Sequence, residues 1–253
     1  MPGELHYLCN TFVVLFRGKT AAERRTYTIP AGNLSFHVSG GDCPGGMRWR
    51  FSTRRGEGDM INCAGFLERS AVNGPGRRAV VWVQGCPLRC PGCFNRDLWS
   101  FRKANFVHEE MLAERILSIP GIEGVSFSGG EPFCQAAPLA TLGKIIRDAG
   151  RSVVTFSGYP IENLLRSRRQ DWRALLQETD LLVAGPYLQE LRMESSLCAS
   201  SNQVAAFLSG RITPYQEEAD KGESVEFTIC RDGEITTTGF PKRAPLPFER
   251  GCT

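Results

Sequence analysis

The sequence has no stretch that is both long and apolar. Its longest apolar runs, VVLF at 13–16, AVVWV at 79–83 and LLVAG at 181–185, fall far short of the about 20 residues that a helix needs to span a bilayer. The first ten residues, MPGELHYLCN, lack the basic start and apolar core of a secretory leader, so a cytoplasmic protein without membrane contact is expected. A large charge of one sign is missing as well. The net charge is +3, and residues 1–59 supply all of it, with eight Lys/Arg against five Asp/Glu; the remainder holds 22 of each. That balance excludes the broad basic field of a nucleic-acid-binding protein. Internal repeats and low-complexity tracts are also absent. What is present is ordinary globular composition, 253 residues with 42% hydrophobic and 23% charged, enough for one sizeable core.

Cysteine is the exception to this plainness. Ten cysteines in a short secreted chain would suggest disulfides, but here a tight cluster of them points to a metal site. Seven (Cys9, Cys43, Cys63, Cys134, Cys198, Cys230 and Cys252) are scattered singly and read as small buried hydrophobes or inert thiols.

Along the chain, residues 1–59 stand apart as an N-terminal extension. GGDCPGGMRWRFSTRRGEGD (40–59) is rich in Gly and Arg without apolar periodicity, the mark of a linker or disordered segment. TFVVLF (11–16) and LSFHV (34–38) have strand character but no visible connection to the rest. Met60 opens a clean strand-like start, MINCAGFLERS, and either the extension belongs to the protein or Met60 is the true start.

From residue 60 to 253 a βα rhythm argues for one domain with a parallel sheet, its core at about 72–210. Strands are expected at 79–84, 124–129, 152–158 and 180–185, and helices at 107–119, 138–149 and 161–178. VEFTICRDGEITTTGF (225–240) reads as a C-terminal β-hairpin turning at Asp232-Gly233.

The chemistry sits in VVWVQGCPLRCPGCFN (80–95), where Cys86, Cys90 and Cys93 share one loop behind a strand. Short spacers let three sulfurs converge on one inorganic centre. Structural zinc needs four closed ligands, and this loop has no fourth Cys or His. A 4Fe–4S cubane held by three cysteines leaves one iron open for a further molecule.

C-P-L-R-C-P-G-C resembles the C-x3-C-x2-C motif of the radical S-adenosylmethionine superfamily. NGPGRRAVVWVQGCPLRCPGCFN (73–95) is similar to its glycyl-radical-activating branch, particularly the activases of anaerobic ribonucleotide reductase. SFSGGEP (126–132), TFSGYPIENL (155–164), TDLLVAGPYLQEL (179–191) and SSNQ (200–203) continue the likeness over roughly 60–210, and residues 1–59 take no part. The resemblance implies a partial (β/α)6-type barrel, open on one side and TIM-like, with the cluster near the top of the first barrel strand. It implies S-adenosylmethionine chelating the open iron and cleaved by one electron to methionine and a 5′-deoxyadenosyl radical. The implied target is a glycine of a glycyl radical enzyme such as anaerobic ribonucleotide reductase, with flavodoxin or ferredoxin as electron donor. A small molecule or peptide as radical target is the alternative, and a cluster-binding module without turnover a third reading.

Cys86, Cys90 and Cys93 are the implied cluster ligands. Ser128, Gly129, Gly130, Glu131 and Pro132 are implied contacts of S-adenosylmethionine: the glycines admit a ligand close to the backbone, and Glu131 with neighbouring carbonyls can accept from the methionine ammonium. Thr155 and Ser157 at a strand end are candidates for the ribose or carboxylate, and Phe94 for the cofactor's rings. Residues 73–76 are either part of the site mouth or a turn. Two departures bear on the target. Gly92 precedes the third cysteine where many relatives carry an aromatic residue, and Ala184 stands where the activases tend to have an acid. Cys134, just after the GGEP run, is expected as a packed thiol rather than a ligand of a second cluster. His108 is expected at the start of a helix, facing solvent.

Overall fold

The computed structural model describes residues 11–15, 26–30, 60–193, 197–213, 225–229 and 235–239. The chain divides into two units, Met1–Glu57 and Gly58–Thr253. In the first, β1 (Thr11–Leu15) pairs antiparallel with β2 (Thr26–Pro30). The strand expected at 34–38 and the segment 40–59 lie outside the described residues.

The second unit is built on β3 (Met60–Ser70), β4 (Arg78–Val83), β5 (Asn105–His108), α1 (Glu109–Ser118), β6 (Gly124–Gly129), α2 (Ala136–Asp148), β7 (Ser152–Ser157), α3 (Ile161–Arg166), α4 (Gln170–Gln177), β8 (Leu181–Ala184) and β9 (Val204–Phe207). Its seven-stranded sheet has the order β5-β3-β4-β6-β7-β8-β9. The four central strands, β4, β6, β7 and β8, are parallel. β3, β5 and β9 pair antiparallel at the flanks. The sequence reading expected a partial (β/α)6-type barrel; the sheet seen here is mixed and open, with edges at β5 and β9. One cause is the length of a link. Only residues 71–77 join β3 to β4, whereas a parallel crossover needs a dozen or more.

The central strands are apolar almost throughout because both their faces are covered. Val80, Val81, Val83, Val125, Phe127, Val153, Val154, Leu181 and Leu182 are all fully buried. Phe127 looks toward the helices: a Cβ placed on Gly143 of α2 would lie 3.8 Å from its ring. Side chains alternate along a strand, so Ser126 and Ser128 look the other way. On that second face Val154, Leu181 and Val183 pack against Leu197 and Ile212. Leu139, Leu142 and Ile146 form the buried stripe of α2, with Trp172 and Leu175 doing the same for α4.

At the amino ends of the parallel strands two buried charges tie neighbours together. Arg78 donates through Nε to Pro75 O (2.6 Å), through Nη1 to Val125 O and Ser152 O (both 3.3 Å), and through Nη2 to Ser152 Oγ (2.7 Å). Asp180 accepts from Val153 N (2.8 Å) and Ser209 Oγ (2.5 Å), and Arg147 lies 3.3 Å away.

Two elements differ from their sequence expectation. The helix expected at 161–178 is two, because Ser167 and Arg169 are extended (ψ 137° and 124°). Ser167 Oγ accepts from Arg169 N at 3.2 Å and its carbonyl from Arg173 Nε at 2.9 Å, which fixes the break. The helix expected from 107 begins at Glu109, since residues 105–108 are drawn into β5 by β3. His108 is therefore the last residue of that strand and half-buried, rather than facing solvent. The C-terminal hairpin is present as β10 (Val225–Ile229) against β11 (Ile235–Gly239); Asp232-Gly233 lies outside the described residues.

Candidate metal centre

The loops that leave β4, β6, β7 and β8 all emerge at the carboxyl end of the sheet, the end at which open α/β sheets bind ligands. The loop after β4 carries Cys86, Cys90 and Cys93, each a half-buried free thiol. Its backbone is held from both sides. Gly85 N donates to Leu98 O (2.8 Å) and Cys86 N to Trp99 O (3.1 Å), while Gln135 Nε2 donates to Gln84 O (3.0 Å). Gly85, Arg89 and Gly92 take positive φ (97°, 49° and 75°), which curls three cysteines into one short turn.

Asn95 N donates to Cys93 Sγ at 3.4 Å, and the backbone beside Cys86 (Leu88, Arg89) and Cys90 (Tyr187) favours their ionised form. Such donors suit thiolate sulfur. Burial nevertheless pushes the Cys86 and Cys90 thiols up from their ordinary range, so the protein alone does not ionise them; a bound metal would. The three sulfurs are not crowded to the spacing of one ion. Among the described residues, only His108, Glu109 and Glu110 bring three donor atoms within 4.8 Å of one another. A cubane seats each thiolate on a different iron and spreads them wider. The His108 trio opens α1, where the helix dipole opposes a cation.

The GGEP turn after β6 lies directly against this loop. Gly130 N donates to Val83 O (2.7 Å) and Glu131 N to Gly85 O (2.8 Å). A Cβ on Gly129 would come within 2.8 Å of Val83 N, and one on Gly130 would strike Gly85 O. The glycines are thus required by contact between the two loops, beside any approach of a ligand. Ser128, Gly129 and Gly130 are half-buried at the strand end, whereas Glu131 and Pro132 are buried. Pro132 opens a short 3-10 turn, Pro132–Gln135, as a residue lacking N–H suits a first turn.

Glu131 is held by three donors of the chain itself. Its carboxylate accepts from Phe133 N (3.0 Å), Ser157 Oγ (2.9 Å) and Gly158 N (2.9 Å), and it is 1% exposed. It clamps the β7 loop to the β6 loop. Burial raises its pKa to about 7, against the lowering by those three donors. Ser157 is spent in this clamp. Thr155 shares a strand face with Ser157 and pairs with Thr179 Oγ1 at 2.8 Å, beside the end of α4. It is fully buried on the helix-covered side, so the structure does not bring it to the cysteine loop.

Phe94 is brought there: its ring meets Tyr187 at 5.6 Å, with the Arg192 guanidinium 5.7 Å from its centroid. Gly92 takes a φ of 75° that favours glycine, and a Cβ there would displace the Gln189 amide. Ala184 is 1% exposed at the end of β8. Cys134 is half-buried. Burial, then Glu131 and Cys86, push its thiol to about 11. Residues 73–76 lie before β4, at its amino end. There Ser126 Oγ donates to Asn73 O, and Asn73 Nδ2 to Thr238 Oγ1 at 2.9 Å. Sequence reasoning gave no part to Tyr187, Gln189 or Tyr159; their signal was that PYLQEL and SGYP fall immediately after predicted strand ends.

Fold and site together define an α/β protein that gathers three free cysteines in one loop at the carboxyl end of its parallel strands. The model of the 4Fe-4S single cluster domain matches residues 72–206, and the chain belongs to that family. The anaerobic ribonucleoside-triphosphate reductase-activating protein of Salmonella typhimurium is 31% identical over 146 residues, 54% of this chain and 92% of that protein. The protein of the same name from Enterobacteria phage T4 is 28% identical over 139 residues, 52% and 85% of the two chains. The pyruvate formate-lyase-activating enzyme of Clostridium pasteurianum is 33% identical over 118 residues, 44% of this chain and 46% of that enzyme. No helix among the described residues is long and apolar enough to cross a membrane.

Proposed function

We propose that the chain is a radical S-adenosylmethionine enzyme that activates a glycyl radical enzyme. The observation that carries this is the three-thiol loop hydrogen-bonded to the GGEP turn, in a chain whose relatives bear the names of such activating proteins. Cys86, Cys90 and Cys93 would hold a 4Fe–4S cluster, the donor set suiting three irons and leaving the fourth open. When bound, cluster and S-adenosylmethionine supply one-electron cleavage of the sulfonium and a hydrogen-abstracting radical. The chain's own residues position and enclose. The exposed edge of the GGEP backbone at Ser128, Gly129 and Gly130 would receive the methionine end, and Phe94 would lie against the cofactor's rings. Glu131 fixes the loop spacing through Ser157 and Gly158. The open sheet leaves its carboxyl end accessible to a loop of a partner protein, with a flavodoxin or ferredoxin supplying the electron.

Buried Ala184, where the activases tend to carry an acid, favours a second reading in which the radical acts on a small molecule or peptide. Anaerobic reconstitution with iron and sulfide, reduction and addition of S-adenosylmethionine should yield 5′-deoxyadenosine. Mixed with an anaerobic ribonucleotide reductase, the loaded enzyme should produce a glycine-centred doublet in electron paramagnetic resonance. Production of 5′-deoxyadenosine with a small substrate and no doublet would decide for the second reading.

A further inference from the structure

The cysteine loop has two flanks, and they differ in charge. On one side lie residues 186–192, where exposed Arg192 is balanced by exposed Glu190. On the other lie residues 96–106, where Arg96, Arg102 and Lys103 are exposed and Asp97 is the only exposed acid. Arg89, exposed on the loop itself, adds a fourth cation. The basic flank is fastened to the backbone around Cys86. Gly85 N donates to Leu98 O (2.8 Å), Cys86 N to Trp99 O (3.1 Å) and Gln84 Nε2 to Ser100 O (2.6 Å). Asn62 holds its far end, donating to Arg102 O (3.0 Å) and accepting from Ala104 N (2.9 Å). These bonds use main-chain atoms and leave the side chains to solvent. Phe101 is 62% exposed although its ring rests on Gly85, where a Cβ would come within 2.5 Å of it, and Phe106 is 40% exposed. The Arg96 guanidinium lies 5.7 Å from the Trp99 ring centre, and Lys103 Nζ 5.6 Å from that of Phe106. Aromatic rings and arginine presented together are the make-up of a protein interface.

We propose that residues 96–106 are the docking surface for an acidic one-electron carrier protein, which delivers its electron on the Cys86 side of the cluster. This rests on the reading of the three cysteines as cluster ligands, and the test separates the two. Charge decides the occupant. Clustered cations around exposed rings attract and orient an acidic protein, whereas the balanced flank at 186–192 exerts no such pull. Phe101 on Gly85 brings the surface to within one residue of Cys86. In the transfer the carrier's reduced flavin or iron–sulfur centre loses one electron and the cluster gains it, with no bond made or broken.

The enzyme loaded with iron and sulfide is titrated with flavodoxin, and in parallel with ferredoxin, by isothermal calorimetry. Cluster reduction by the reduced carrier is followed by stopped-flow absorbance. Arg96→Glu with Arg102→Glu and Lys103→Glu should weaken binding and slow reduction by at least about tenfold, with reduction by dithionite unchanged. Wild-type binding should weaken with added salt, and that of the variant should not. The same charge change elsewhere, Lys144→Glu with Arg166→Glu and Arg168→Glu, should leave both within about twofold. Equal losses in the two triple variants, wild-type behaviour of the first, or carriers that both fail to bind the unaltered enzyme overturn the docking surface while dithionite still reduces the cluster. So does a first variant that keeps carrier binding and loses only the glycyl radical of a partner enzyme, which would assign the surface to that partner. A chain that takes up no cluster overturns the underlying reading as well. Should the triple variant fail to fold, Arg102→Glu alone decides: its carrier binding must be weaker and less salt-dependent than that of the unaltered enzyme.

Discussion

The two ends of the same four parallel strands are built on opposite plans. At the amino end, the buried Arg78 guanidinium finds oxygens of Pro75, Val125 and Ser152, and the buried Asp180 carboxylate finds Val153, Ser209 and Arg147. At the carboxyl end, three free thiols share a loop whose backbone turns left-handed at Gly85, Arg89 and Gly92, with burial opposing ionisation at Cys86 and Cys90. One end is satisfied by the chain itself. The other keeps donors for something the chain does not contain. The difference separates residues that hold the sheet from residues that work on it, and substitutions at each end should fail differently.

The largest effect is expected at the carboxyl end. Cys90→Ala should lose the cluster's iron and all 5′-deoxyadenosine production, while urea unfolding of the metal-free chain moves by less than about 1 kcal/mol, as for a half-exposed side chain. Arg78→Met should do the reverse. It strands buried carbonyls at the starts of three strands, so a loss of about 3–5 kcal/mol is expected by chemical denaturation, with the cluster's absorbance retained at low temperature.

Glu131 belongs to the working end yet bears on stability, and pH exposes it. Its folded pKa, about 7, lies above the ordinary 4.5. Its contribution to stability is therefore complete below pH 4.5 and is lost as pH rises through 7. In the metal-free chain this should amount to about 2–4 kcal/mol across that window, and Glu131→Gln should flatten the slope in parallel denaturation curves. The smallest effect is expected from Thr155→Val, which removes one buried hydroxyl pair. It should cost about 1 kcal/mol and leave S-adenosylmethionine affinity of the loaded enzyme unchanged by equilibrium dialysis. A tenfold weaker affinity would return Thr155 to the site.

The sequence made the parallel strands legible because both faces of each are buried, so they read as short apolar runs between Gly and Pro. GVSFSG appears as β6 with the expected bounds. The cysteine loop was legible for a different reason: its spacing is local and its chemistry specific. What was hidden depends on partners distant in sequence. Val107 and His108 read as a helix start until β3 claims 105–108, with Met60 opposite His108. Thr155 and Ser157 read alike as hydroxyls at a strand end, and only Thr179 and Glu131 show that both are committed elsewhere. The clamp made by Glu131 was hidden because a sequence shows a carboxylate but not the three donors that meet it.

Arg78 has a consequence for how the sheet assembles. Parallel strands joined by long crossovers must find one another across many residues, and neighbours offset by one residue still bury apolar side chains of similar size. Such a slip turns each side chain to the opposite face. In β4 it would carry the guanidinium away from the oxygens of Pro75, Val125 and Ser152 and leave a buried cation without company. The arginine thus proofreads the alignment of three segments at once, making the misaligned sheet costly where valines alone would tolerate it.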